Sequence, residues 1–190
     1  MANTLAVAGF GNMGGAIVRG ILSSGRMPPH EITVHDPEPG RRAAADALGL
    51  RLAEDPRALV QAPTLLVAVK PQRFAGLAEE LGALPHPTLV ISVMAGIASP
   101  SITAALGPHA RVARVMPNTP ASIGAGMSAA AFGTTCTVED RALVTAMFAT
   151  VGAVRTIDES LMDAATAVCG SGPAYVFHLA EHMMRGAREA

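Results

Sequence analysis

The stretch LAVAGFGNMGGAI, residues 5–17, decides how the rest of the chain is read. Gly9-Phe10-Gly11-Asn12-Met13-Gly14 fits the spacing G-x-G-x-x-G, which 19 glycines in 190 residues also produce by chance. Its surroundings supply the meaning. A short apolar run, residues 4–8, leads directly into it, and the helical segment GAIVRGIL follows. In that setting Gly9 permits a tight turn, Gly11 lets the backbone approach a pyrophosphate, and Gly14 lets the helix pack closely on the strand. The free N–H groups at the helix start then face the anion. A glycine-rich bend beside an apolar core is the plainer reading, but it leaves the flanking strand and helix unexplained. The stretch predicts a dinucleotide-binding turn.

Working outward, further strand-like runs occur at residues 31–35, 64–69, 88–93 and 111–116. TLLVAV and TLVISV are apolar throughout, which suits strands covered on both faces. Helical punctuation lies between them: Ser99-Pro100 reads as an N-cap with Pro at the first helical position, and Gly107 closes that helix. This alternation predicts an α/β fold of Rossmann type, with a doubly wound, mostly parallel sheet. Beyond Met116 the chain becomes rich in Pro, Gly and Ser before a short strand near residues 127–131. Thr137 and Asp140 form an approximate capping box for a helix to about Thr150. A strand at residues 153–157 and a helix from about Glu159 follow. In CGSGPAYVF, Ser171 or Gly172 reads as the cap of a final helix beginning at Pro173.

Composition narrows the function. Half of the residues are apolar and the formal net charge is -1, so there is no basic footprint for nucleic acid. Five Phe, one Tyr and no Trp offer few platforms for stacking single strands. No apolar run reaches the ~18 residues of a membrane span. Cys136 and Cys169 have no metal-ligand or redox spacing and fit a reducing compartment. The first basic residue, Arg19, comes after the apolar N-terminal stretch, unlike a signal peptide. A cytoplasmic protein is expected.

Candidate site residues follow from the fold. His35 and Asp36 end the second strand, with Asp36 22 residues after Gly14, against the ~20 expected for a ribose-binding acid. Asp36 would favour NADH and repel a 2′-phosphate, whereas Arg41 and Arg42 are placed to hold that phosphate or to line a solvated helix face. VAVKPQ (67–72) and VMAGI (93–97) end two further strands, where ligands of open α/β sheets bind. Lys70 is the chain's single lysine. His178 and His182 with Glu181 match H-x-x-E-H, but no downstream third ligand is in sequence. A polar stripe on an amphipathic helix explains the same letters, so no metal is expected.

GFGNMGGAI, AVKPQ, SVMAGI, RVMPNTPASIGAGMS and MDAATAVCGSGPAYVF, in this order, resemble the pyrroline-5-carboxylate reductases, which catalyse the last step of proline biosynthesis. MPNTP followed by GSGPAY is far more specific than a glycine fingerprint. The resemblance implies a Rossmann domain over residues 1–160 and the start of an all-helical dimerisation domain over residues 161–190. It implies hydride transfer from NADPH or NADH to the C=N bond of 1-pyrroline-5-carboxylate, in a homodimer or larger homo-oligomer. Gly9 to Gly14 would hold the pyrophosphate, Val69, Lys70 and Pro71 would line the nicotinamide ribose, Ala95 and Gly96 would flank the ring, and Asn118 would be a further contact near it. The family commonly carries a small hydroxyl residue or Asn where Asp36 stands, so Asp36 sets the usual NADPH preference in question; Asp55 likewise stands where some members have Asn. The family's Ser-Pro-Gly-Gly-Thr-Thr type loop for the substrate carboxylate does not occur in these 190 residues, and no catalytic residue is assigned.

The last helix has Phe177, Ala180, Met184 and Ala187 at helical spacing and no stop signal. An apolar helix face needs a partner, which predicts either a truncated chain or self-association through residues after about Ser171. Two other functions remain open at this point: a 3-hydroxyacid-type dehydrogenase, or a nucleotide-binding or interaction module without chemistry of its own.

Overall fold

The computed structural model describes residues 4–189; residues 1–3 and 190, the outer ends of the two expected domains, lie outside the described residues. Among the described residues, eight strands form one sheet in the order β3-β2-β1-β4-β5-β6-β7-β8. They are β1 (Leu5–Ala8), β2 (Ile32–His35), β3 (Arg51–Leu52), β4 (Thr64–Val67), β5 (Thr88–Ser92), β6 (Ala110–Met116), β7 (Gly126–Phe132) and β8 (Gly152–Thr156). The pairings are parallel except β6 with β7, which agrees with the doubly wound, mostly parallel sheet expected from the sequence. β1, β4 and β5 are buried along their whole length. That is why they read as unbroken apolar runs: each faces helices on both sides.

The helices are α1 (Asn12–Ser23), α2 (Pro39–Asp46), α3 (Phe74–Leu81), α4 (Ser99–Leu106), α5 (Val138–Phe148), α6 (Met162–Ala165) and α7 (Gly172–Glu189). Alternation along each strand sends side chains to two cores. Val7, Val34, Leu66 and Ile91 meet Ile17, Val18 and Ile21 of α1 and Val144, Met147 and Phe148 of α5. Ala6, Ala8, Leu65, Val67 and Val90 meet Phe74, Leu77 and Leu81 of α3 and Ile102 and Leu106 of α4. Parallel strands need such crossovers, and the crossovers bring every β1–β6 carboxyl end to one edge of the sheet.

Two polar clusters brace this frame. Thr137 and Asp140 form the capping box expected for α5: the Asp140 N–H donates to Thr137 Oγ1 (3.1 Å) and the Thr137 N–H to Asp140 Oδ2 (3.0 Å). Arg111 of β6 donates to the same carboxylate through Nε (2.6 Å) and Nη2 (2.9 Å). Its guanidinium is the main reason Asp140 lies below the ordinary carboxylate range, and the pairing pushes Arg111 up. At the second cluster Glu159 Oε1 accepts from the Ser99 N–H (2.8 Å) and from Arg114 Nη1 (2.9 Å). Burial works to raise the Glu159 carboxyl, but the Ser99 and Arg114 donors outweigh it and hold it low.

Three boundaries differ from the sequence reading. The N-cap position of α4 is Ala98 rather than Ser99, because the helix start is completed from a distance by the Glu159 carboxylate. β3, two residues long, was outside the expected strands. The last helix begins one residue before Pro173: residues Thr166–Gly170 form a π-helical turn, the Ser171 N–H donates to Thr166 O (2.9 Å), and α7 begins at Gly172, directly after Ser171, whose carbonyl accepts from the Ala174 N–H (2.9 Å). The wider turn frees the Ala167 carbonyl, which accepts from the Tyr175 hydroxyl (3.1 Å).

Candidate active site

The turn after β1 is built by close backbone approach. Gly9 has φ +96°, and its N–H donates to His35 O (2.9 Å). A Cβ there would stand 2.8 Å from the Ala68 carbonyl oxygen, so the turn presses directly on the chain leaving β4. Gly14 is tighter still: a Cβ would run into the Gly9 carbonyl and lie 3.1 Å from Ala68 Cβ. Only hydrogen fits at both places. α1 then starts with Gly11 at its N-cap, no side chain capping it and no acidic residue in its first turn. The Gly15 N–H is bonded to Gly11 O (2.8 Å), while the preceding N–H groups belong to the helix end that attracts anions. These residues fit a dinucleotide pyrophosphate.

Strand order brings the other candidates alongside. Across the sheet the carboxyl ends run β2, β1, β4, β5, β6, so His35 and Asp36, Gly9 to Gly14, Val69 to Pro71, Ala95 and Gly96, and Asn118 occupy successive positions on one edge. β1 is the switch point, with β2 on one side and β4 on the other, and ligands of such sheets sit there. Lys70 is exposed and heads a 3₁₀ turn, Pro71–Arg73, and its carbonyl accepts from the Arg73 N–H (2.8 Å). Ala95 and Gly96 are exposed after β5. Asn118 has its amide orientation fixed, because Oδ1 accepts from the Met127 N–H (2.9 Å). That bond closes the β6–β7 connection and leaves the Asn118 NH₂ as a donor.

At the β2 end the structure shows contacts that the sequence did not reveal. Asp36 is buried, and its Oδ2 accepts from the Phe10 N–H (2.7 Å) while Oδ1 accepts from the Glu38 N–H (2.9 Å). Its carboxylate therefore fixes the glycine turn from the end of β2. The His35 Nδ1–H donates to Ala53 O (2.9 Å), tying β2 to the end of β3. Arg41 closes over Asp36 (3.6 Å) and pairs with Glu38 (Nε to Oε2, 2.8 Å). Arg42 is half-buried nearby on α2, and Asp55 caps a 3₁₀ turn by accepting from the Arg57 N–H (2.9 Å).

The H-x-x-E-H letters lie on exposed α7. The His178 and His182 ring centroids are 4.1 Å apart with the rings tilted by 55°, and the His182 Nδ1–H donates to His178 O (2.8 Å). Among the described residues no group of three or more His, Cys, Asp or Glu side chains is gathered for a metal ion.

Comparison with known proteins decides the family. Over 186 residues the chain is 36% identical to the pyrroline-5-carboxylate reductase of Escherichia coli strain K12, a match covering 96% of this chain and 69% of that protein. The chain belongs to the pyrroline-5-carboxylate reductase family. Residues 159–190 match the family profile for pyrroline-5-carboxylate reductase dimerisation, and residues 4–96 match the one described as NADP oxidoreductase, coenzyme F420-dependent. Among solved structures, a pyrroline-5-carboxylate reductase from Coxiella burnetii superposes with a TM-score of 0.88 at 29% identity, covering 100% of this chain and 72% of that one. The Plasmodium falciparum pyrroline carboxylate reductase with NADP bound shares the fold, with a TM-score of 0.85 at 24% identity and the same coverages. The glycine turn, the β4 and β5 ends and the helical tail thus stand in the fold of this reductase family.

Proposed function

We propose that this chain reduces 1-pyrroline-5-carboxylate to proline with a reduced nicotinamide dinucleotide held along the carboxyl ends of β2, β1, β4, β5 and β6. The observation that carries this reading is the uncapped N-terminus of α1 behind a turn that admits glycine alone at Gly9 and Gly14. When bound, the dinucleotide supplies a hydride to the C=N carbon of the substrate. The chain's part is to bind and orient. The α1 N–H groups hold the pyrophosphate, Asp36 braces that turn and meets the ribose, Val69 to Pro71 border the nicotinamide ribose, and Ala95 and Gly96 leave open backbone beside the ring. Asn118, its amide fixed by Met127, presents a donor at the same edge. A protonated imine is already electrophilic, so placing the two reactants together provides much of the acceleration.

The same proposal gives the chain a Rossmann domain to about residue 160 and a helical segment thereafter that pairs with a second copy. Tyr175, Val176, Phe177, Leu179, Met183 and Met184 of α7 are all exposed, and the dimerisation profile falls on this part of the chain. A cytoplasmic location agrees with two free thiols; no helix among the described residues is long and apolar enough to cross a membrane. The test is oxidation of NADH and NADPH by the chain with and without 1-pyrroline-5-carboxylate. Substrate-dependent oxidation is expected. A folded chain that binds dinucleotide yet shows none would refute the assigned reaction.

A further inference from the structure

The site's preference between NADH and NADPH is written at the end of β2. In a Rossmann site the adenosine ribose lies between the acid that ends this strand and the glycine turn, so the ribose 2′ substituent decides the choice there. Asp36 is 3% exposed, with each oxygen already accepting one backbone N–H. Each oxygen keeps a lone pair for a hydroxyl.

Of the two arginines placed for a 2′-phosphate, Arg41, the one that reaches the glycine turn, is engaged elsewhere. Arg41 Nε is 2.8 Å from Glu38 Oε2 and Arg41 Nη1 is 3.6 Å from Asp36 Oδ2. The same Nη1 would stand 3.0 Å from a Cβ on Gly11, so Arg41 spans from the two carboxylates to the mouth of the phosphate turn. A 2′-phosphate would have to draw Arg41 off two carboxylates while meeting the charge of both. A 2′-hydroxyl needs only an acceptor, and Asp36 is one.

We infer that the Asp36–Arg41–Glu38 cluster makes this site select NADH over NADPH, with Glu38 as the discriminating carboxylate that holds Arg41 and repels the 2′-phosphate. The inference rests on the dinucleotide reading of the glycine turn. It is tested by titrating the 190-residue chain with NADH and with NADPH, following nucleotide fluorescence. The dissociation constant for NADH is expected to be at least tenfold the lower. Glu38→Gln and Glu38→Ser, at an exposed position, are each expected to narrow the ratio of the two constants at least fivefold. Equal or tighter NADPH binding by the parent chain overturns the inference, as does a ratio unmoved by both variants, and in either case the dinucleotide reading survives. Failure to bind either nucleotide overturns that reading and the inference together.

Discussion

At Gly9 and Gly14 there is no room for an atom beyond hydrogen. Gly9→Ala forces a side chain into a left-handed backbone position and against the Ala68 carbonyl (2.8 Å), at a cost of about 1–3 kcal/mol. Gly14→Ala pushes a methyl group into the Gly9 carbonyl, so the helix must withdraw from the turn. Each variant is expected to lower the urea midpoint and to weaken dinucleotide binding more than tenfold, measured by unfolding curves and fluorescence titration. Asn118→Ala removes the acceptor for the Met127 N–H and is expected to cost roughly 1 kcal/mol, read by the same unfolding curves. The glycines were legible in the sequence because their spacing is local. The Asp36 bond to Phe10 was not, because its partner is 26 residues away and is a backbone group that every residue type carries. His35 illustrates the same limit: its position at the strand end was foreseen, but its bond to Ala53 depends on β3, which two residues could not announce.

At the scale of elements, α5 and α4 are each held by a carboxylate whose charge matters. Thr137→Ala removes one half of the capping box and is expected to cost about 1 kcal/mol. Asp140 and Glu159 sit below their ordinary values of 3.8 and 4.5 in the folded chain. Their ionised forms therefore favour folding above those values, and that contribution is lost as pH falls through the lower folded values. Stability measured by urea unfolding is expected to be insensitive to these groups near neutrality and to decline below about pH 4.5. Asp140→Asn is expected to be less stable than the parent at pH 7 and to approach it as the pH is lowered toward 3, because the parent then loses the same charge. A constant difference across that range would contradict the assignment. The α5 cap was legible because Thr137 and Asp140 are three residues apart. The α4 cap was misplaced by one residue because Glu159, 60 residues on, does what a local Ser was expected to do. The start of α7 is legible to within a residue from Ser171, Gly172 and Pro173, but the π-helical turn just before it carries no local signal, so the helical path on both sides of Ser171 is not.

For the whole molecule, the sheet order explains how residues as distant as Gly9 and Asn118 share one edge; the alternation of strand and helix is enough for the parallel sheet, whereas the place of Asn118 comes only from the family resemblance. The final helix is a different matter. Its apolar spacing showed that it needed a partner, and the structure leaves Phe177 and Met184 exposed at 65% and 58%. Sedimentation of the chain is expected to show concentration-dependent association, and Phe177→Glu with Met184→Glu to shift it toward monomer. A compact monomer at every concentration would remove the pairing role given to α7.

The most direct measurement follows the transferred atom. The chain would be incubated with 1-pyrroline-5-carboxylate and NADH carrying deuterium at the transferable C4 position, and the product read by mass spectrometry. The account predicts chain-dependent formation of proline with one deuterium on the carbon that was doubly bonded to nitrogen, abolished in Gly14→Ala. Absence of labelled proline from a folded chain that binds the labelled nucleotide would contradict it.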